Sequence, residues 1–194
     1  MEDLNYQNPE NQYIEHGEYE RPNFVEAVKA CFKKFVDFSG RARRSEFWYF
    51  SLFQFIILVL GLLLIWLCSN VVPVLGAMLA ILLFVVIIIL AIPGWAVTFR
   101  RLHDIGKSGW WYGAYVLISV FINLVLRLMT PSYNSYNYFD DGAHLAMQQQ
   151  LQLIGIISVV IGLCQLGYWV VLLVFWCRDS DPEENQYGVS PKYY

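Results

Sequence analysis

Phe47–Phe99 reads FWYFSLFQFIILVLGLLLIWLCSNVVPVLGAMLAILLFVVIIILAIPGWAVTF, fifty-three residues without one Asp, Glu, Lys or Arg. A water-soluble chain of 194 residues is too small to bury such a stretch. A bilayer accepts it as helix, because a helix satisfies its own backbone groups. One span takes about 20 apolar residues, so the stretch suits two spans joined tightly. Two further charge-free stretches, Ser108–Leu126 and Leu145–Cys177, supply two more. The expected spans are residues 47–68, 72–92, 109–128 and 151–176. The fold class is all-α: an integral membrane four-helix protein, its four-span domain covering residues 39–178.

Composition agrees. Hydrophobic residues make up 57% of the chain and charged ones 15%, against roughly 25% charged in soluble domains, which disfavours a globular enzyme. The net charge of −3 says little; its distribution says more. Of thirteen basic residues, Arg21, Lys29, Lys33, Lys34, Arg41, Arg43 and Arg44 precede the first span. Arg100, Arg101 and Lys107 lie between the second and third, and Arg178 and Lys192 follow the fourth. Only Arg127 falls on the other side. The positive-inside bias places both termini and the central loop in the cytoplasm, in agreement with an even number of spans, which puts the termini on one side. Trp48, Tyr49, Trp95, Trp110, Trp111, Tyr112, Trp169 and Trp176 mark the cytoplasmic interface and Trp66, Tyr133, Tyr136 and Tyr138 the outer one, as amphipathic rings prefer head-group depth.

Residues 1–22, acidic and without periodicity, are expected to form a disordered cytoplasmic tail. Residues 23–38 read as an amphipathic helix. Asn23 and Glu26 are spaced as a capping box, and Phe24, Val25, Val28, Cys31, Phe32, Phe35 and Val36 form an apolar stripe opposite Lys29, Lys33 and Lys34. Such a helix either lies in the cytoplasmic interface or packs under the bundle. Ser39-Gly40 breaks it. Pro73 suits the first turn of the second span, and Pro93-Gly94 is expected to kink or end that span. Thr130–Gln150 is the one sizeable outer loop, where Arg127 is placed to pair with Asp140 or Asp141. Residues 179–194 form a cytoplasmic C-terminal tail.

Two cytoplasmic segments stand out: Phe38-Ser39-Gly40-Arg41-Ala42-Arg43-Arg44-Ser45-Glu46-Phe47-Trp48, and Arg100-Arg101-Leu102-His103-Asp104-Ile105-Gly106-Lys107-Ser108-Gly109-Trp110-Trp111. Each enters a hairpin through paired arginines and tryptophan. That echo fits either a duplicated two-helix unit or the common needs of a cytoplasmic helix start. Together with Glu184-Asn185-Gln186-Tyr187-Gly188…Pro191, these segments resemble the bacterial inner-membrane family called domain of unknown function 805 (YhaH-like). The similarity runs from about Phe24 to the C-terminus, with Glu184 where glycine is expected. The resemblance implies a small multi-span protein of the bacterial cytoplasmic membrane and carries no established reaction, substrate or cofactor.

If both segments reach one face, Arg41, Arg43, Arg44, Arg100, Arg101 and Lys107 form a basic rim. One reading has Glu46 and Asp104, with His103, clasping the two hairpins through arginine pairs. Another has surplus arginines binding anionic lipid head groups or a partner protein. No catalytic residues, metal or cofactor are expected. His103-Asp104 lacks the further ligands a metal site needs, since His16 and His144 lie elsewhere. Gly106-Lys107-Ser108 lacks the first glycine of a phosphate-binding loop, position 101 being Arg. The four cysteines show no metal-ligand spacing. The function reading is a non-enzymatic membrane protein binding lipid or a partner through its basic cytoplasmic face, with no nucleic acid involved. The alternative is a small channel or permease subunit acting as a homo-oligomer, with Gln54, Asn123 and Gln165 lining a path, because the spans hold no ionisable group of the kind carriers use.

Overall fold

The structure, a computed structural model, describes residues 22–130 and 141–192. Most of the acidic tail, the tyrosine-rich part of the outer loop and the Asp140 and Asp141 side chains expected to meet Arg127 lie outside the described residues. Five helices follow one another: α1 (Phe24–Lys33), α2 (Arg44–Val71), α3 (Pro73–Asp104), α4 (Trp110–Met129) and α5 (Asp141–Cys177). The last four are long and apolar enough to cross a membrane. The chain divides into two compact units, one of residues 1–109 with 179–194 and one of residues 110–178.

In the first unit the capping box forms as the spacing predicts. Asn23 Oδ1 accepts from the Glu26 amide at 2.9 Å, and Glu26 returns a carboxylate oxygen to the Asn23 amide at 3.0 Å. α1 stops at Lys33, five residues short of the expected end. Beyond it Asp37 bonds the Ser39 amide and hydroxyl, and Gly40 takes a left-handed conformation (φ 73°) that turns the chain. Ala27 and Cys31 are fully buried, and Phe24 and Phe32 pack edge-on against Tyr49, Phe50 and Phe53 of α2. Val25 and Val36 remain more than half exposed. The stripe is therefore divided between packing on α2 and an open side.

α2 and α3 pair closely through small residues. A Cβ on Gly61 would lie 2.6 Å from Leu83, and one on Gly76 would lie 2.9 Å from the Ser69 backbone. Pro93 sits inside α3, so of the kink or stop expected there the stop does not occur, and the helix runs to Asp104, past the expected span end at residue 92. Added donors hold the backbone around the proline. Gln54 Nε2 donates to the Leu90 carbonyl at 2.8 Å and Thr98 Oγ1 to the Gly94 carbonyl at 2.7 Å, an accommodation that helices in lipid require. Arg100–Asp104 is consequently the last turn of α3, and the central loop shrinks to residues 105–109.

In the second unit α4 and α5 run antiparallel. Tyr168 donates to the Trp111 carbonyl at 2.7 Å, Tyr115 stacks on Tyr168, and Gln165 reaches the Ser119 hydroxyl at 3.4 Å. No residue of α4 is buried. α5 begins ten residues earlier than expected; its 37 residues rise about 55 Å, well beyond a hydrocarbon core of about 30 Å.

Burial is inverted relative to a soluble protein. Leu60, Leu82, Phe121 and Leu163 are all more than half exposed, as lipid-facing side chains are. Arg41, Arg43, Arg100, Arg101 and Asp104 are buried. In the first unit the interior gathers at one end of the α2–α3 pair, where these charges lie among buried Phe47, Phe50, Val97, Leu102 and Ile105.

Two glycine substitutions separate packing from propensity. Gly76→Ala should destabilise the detergent-solubilised protein by about 1–3 kcal/mol through overpacking. Gly155→Ala, with nothing within 4 Å of the new Cβ, should be neutral or gain up to about 1 kcal/mol of helix propensity. Thermal unfolding midpoints check both.

Candidate functional site: a buried arginine–aspartate clasp

The Asp104 carboxylate is fully buried at the end of α3. Arg41, from the turn before α2, donates Nε to it at 3.0 Å. Arg101, one turn back on α3, and the Ser180 hydroxyl also donate to it. The remaining Arg41 donors all reach backbone carbonyls: Glu183 (2.9 Å), Gly188 (3.1 Å), Asp104 (3.0 Å) and Asp181 (2.5 Å). A guanidinium has five N–H donors, so Arg41 is saturated. One side chain thus ties α3, the pre-α2 turn and the C-terminal segment together.

The end of α3 explains this convergence. A helix leaves its last four carbonyls unpaired. Here the Gly106 amide bonds the His103 carbonyl at 3.0 Å and the Lys107 amide bonds the Leu102 carbonyl at 2.9 Å. These are the two bonds of a Schellman cap, with Gly106 left-handed at φ 69°. Gly106-Lys107-Ser108 therefore ends a helix, whereas a phosphate-binding loop begins one. The Ala42 amide takes the Arg100 carbonyl, the Asp181 amide the Asp104 carbonyl, and Asn185 Nδ2 adds a bond to the His103 carbonyl at 3.0 Å. His103 Nδ1 lies 3.1 Å from the Gly40 carbonyl, and its ring stacks on Tyr187 at 3.8 Å. Asn185 and Gly188 exchange backbone bonds in a two-residue turn that presents both Tyr187 and the Gly188 carbonyl.

The basic rim expected from sequence is partly interior. Arg41, Arg100 and Arg101 are 6%, 0% and 0% exposed; the C-terminal segment folds over Arg41 and Asp104, and Arg100 lies against Cys31 of α1. Arg43 is buried and bonds the Pro191 carbonyl. Arg44 is exposed and shares Asp179 with Lys192, each at 2.9 Å. Lys192 and the neighbouring cations hold the Asp179 carboxyl below the ordinary carboxylate range. Lys107 is half-buried. The clasp expected from sequence forms between Asp104 and Arg41 of the opposite segment. Glu46 is half-buried; the positive charge acting on it most strongly is Arg100's, yet it makes no ion pair among the described residues. Ser180, Asp181, Asn185, Tyr187 and Gly188 join the site without being singled out as site residues; the C-terminal motif was the signal for the last three, and Ser180 and Asp181 had none. Glu184 is exposed, which explains why a side chain is tolerated there.

Residues 35–189 match the family described as protein of unknown function (DUF805). The chain belongs to the DUF805 family. Inner membrane protein YhaH of Escherichia coli (strain K12) is 29% identical over 164 residues, covering 82% of this chain and 91% of that protein. Inner membrane protein YhaI of the same organism is 28% identical over 162 residues, covering 83% and 91%. No solved structure matches. The matched region of this DUF805 chain includes all three segments of the clasp, and its four spanning helices agree with relatives named as inner-membrane proteins.

Three expectations follow. Asp104→Ala should cost about 3–5 kcal/mol, since it strands buried guanidiniums. Arg41→Lys should also be severe, because an ammonium cannot reproduce the five-donor fork. Arg44→Ala, at an exposed pair, should cost about 1 kcal/mol or less. Thermal unfolding in detergent ranks them. Burial pushes the Cys31 thiol from 9.0 up to about 12. In a variant lacking the other cysteines, native Cys31 should therefore react with maleimide about 10³ times more slowly than after unfolding.

Proposed function

We propose that this protein is a non-enzymatic component of the bacterial cytoplasmic membrane that acts by contact, its clasp-bearing face turned to the cytoplasm and set against anionic lipid head groups. The observation that carries this reading is a separation of the basic residues. Arg41 and Arg101 are engaged internally, whereas Lys29, Lys33, Lys34, Arg44 and Lys192 are exposed around the same end of the molecule. Each such cation contributes about 1 kcal/mol near an anionic leaflet. Exposed Val25, Phe32, Val36 and Phe38, in and just after α1, supply apolar anchors beside the lysines, as interfacial helices do. The engaged state of the site's acid supports the non-enzymatic part: Asp104 accepts from three donors and is closed to a substrate.

The channel reading gains less support. Gln54 is bonded to Leu90, Asn123 to the Ser119 carbonyl of its own helix, and Gln165 to the Ser119 hydroxyl.

The test is lipid retention through purification in detergent. Phosphatidylglycerol should be retained over phosphatidylcholine, and converting Lys33, Lys34, Arg44 and Lys107 together to Gln should reduce that preference at least tenfold while the unfolding midpoint stays within a few degrees. Equal retention of the two lipids by the unaltered protein removes the reading. A cysteine at position 107 should be labelled from the cytoplasmic side only; labelling from outside overturns the orientation.

A further inference from the structure

Arg100 does not fit the account of the other arginines. It is fully buried one turn before the end of α3. Its Nε has a long 3.4 Å bond to the Ala96 carbonyl of its own helix. Both terminal nitrogens are buried and meet no oxygen acceptor among the described residues; the Cys31 thiol, a weak acceptor, is the polar group at hand. The other buried guanidiniums differ: Arg41 and Arg101 share Asp104, and Arg43 bonds the Pro191 carbonyl. Four arginines are buried here against two carboxylates, the fully buried Asp104 and the half-buried Glu46, so the cluster carries excess positive charge. An uncompensated buried charge is strongly destabilising, and the natural compensation is an anion.

We propose that Arg100 is the receptor for one phosphate group, that of an anionic phospholipid or of free phosphate, taken up beneath α1. This deepens the lipid-contact reading and rests on it. The chemistry fits: NH1 and NH2 form a planar fork suited to bidentate bonding of phosphate oxygens. The depth fits, since Arg100 lies at the end of a spanning helix, where head-group phosphates reside. The route fits as well. Cys31 of α1 lies against Arg100. α1 is held on α2 by Phe24 and Phe32, with the small residues Ala27 and Cys31 on its buried side. Exposed Lys33 and Lys34 stand at the exit of that helix, and Phe38 covers Phe99, the residue before Arg100, edge-on at 5.4 Å. Glu46 is the competitor. It is half-buried and feels the Arg100 charge without reaching it as an ion pair, so phosphate and the Glu46 carboxylate compete for one guanidinium.

The experiment follows the unfolding midpoint of the full-length protein in detergent with phosphatidylglycerol, with phosphatidylcholine, or with inorganic phosphate against chloride at matched ionic strength. Phosphatidylglycerol at about a hundred times its Kd should raise the midpoint by roughly 5 °C. Arg100→Gln should lose that rise, and Arg44→Gln should keep it. A rise with inorganic phosphate that Arg100→Gln also loses assigns the site to the free anion; a rise with phosphatidylglycerol alone assigns it to lipid. Because loss of a buried guanidinium endangers folding, Glu46→Gln is the second variant, and it should strengthen the phosphatidylglycerol response several-fold. Three results overturn the site: no rise with either phosphate source, a full rise retained by Arg100→Gln, or a Glu46→Gln midpoint that falls with its lipid response unchanged. The last makes Arg100 and Glu46 a plain ion pair. Retained phosphatidylglycerol without any midpoint change leaves the surface reading standing and removes this one.

Discussion

The Asp104 carboxylate, buried beyond the reach of solvent, is the constraint from which the rest of unit 1 follows. A carboxylate taken out of water needs charged or hydrogen-bonding partners on each oxygen, or its burial is prohibitive. Arg101 supplies one from the same helix, so α3 must remain helical through its final turn. Arg41 supplies another from sixty-three residues away, which brings the turn before α2 to the end of α3. Arg41 then imposes a demand of its own. Four remaining N–H groups need acceptors, and three are carbonyls of residues 181, 183 and 188. The chain after the last span is thereby drawn back over the first pair of helices.

That logic suits a protein whose solvent is lipid. Between helices in a bilayer there is no hydrophobic driving force, because the tails are as apolar as leucine; close packing and hydrogen bonds must hold them together. α2 and α3 use both. Gly61 and Gly76 let the helices approach, and Gln54 bridges to the Leu90 carbonyl beside the proline. The α4–α5 pair shows the weaker case, with no buried residue on α4 and aromatic contacts along its length. The polar interior lies at the water-facing end of α2–α3, where interactions between charges and backbone are strong yet folding does not carry a charge through the hydrocarbon.

Legibility divided along the same line. Spans are dictated by transfer energy, summed over twenty residues and indifferent to neighbours, so all four could be read from the charge-free stretches. The α1 capping box was local and equally legible. The continuation of α3 through Pro93 was not, because it depends on Gln54 and Thr98, side chains whose role appears only when α2 and α3 pair. In the clasp, the pairing of Asp104 with an arginine of the other segment was one of two readings open from charge and topology, and the ion pair that reading also gave Glu46 is absent among the described residues. Which arginines would be buried did not follow: for Arg41 and Arg43 it depends on carbonyls of the C-terminal segment, which have no sequence signature, and for Arg100 on α1 packing over it. Asn185 and Gly188 left the one trace, a turn spacing that only geometry could connect to His103 and Arg41.

The arrangement changes how an arginine-rich motif in such a chain should be understood. Basic residues at a cytoplasmic helix end serve topology and lipid contact, and a count alone invites the conclusion that all six in these segments are available for binding. Geometry sorts them instead. Arg41 and Arg101 complete a buried carboxylate, Arg43 reaches the C-terminal backbone, and Arg44 and Lys107 lie toward the outside. Arg100 alone combines full burial with two terminal nitrogens that no oxygen acceptor among the described residues meets. Its neighbours carry the ties between segments, and its own side chain joins none of them. That difference, a planar fork near the end of a spanning helix, is why a phosphate oxyanion is proposed as its ligand.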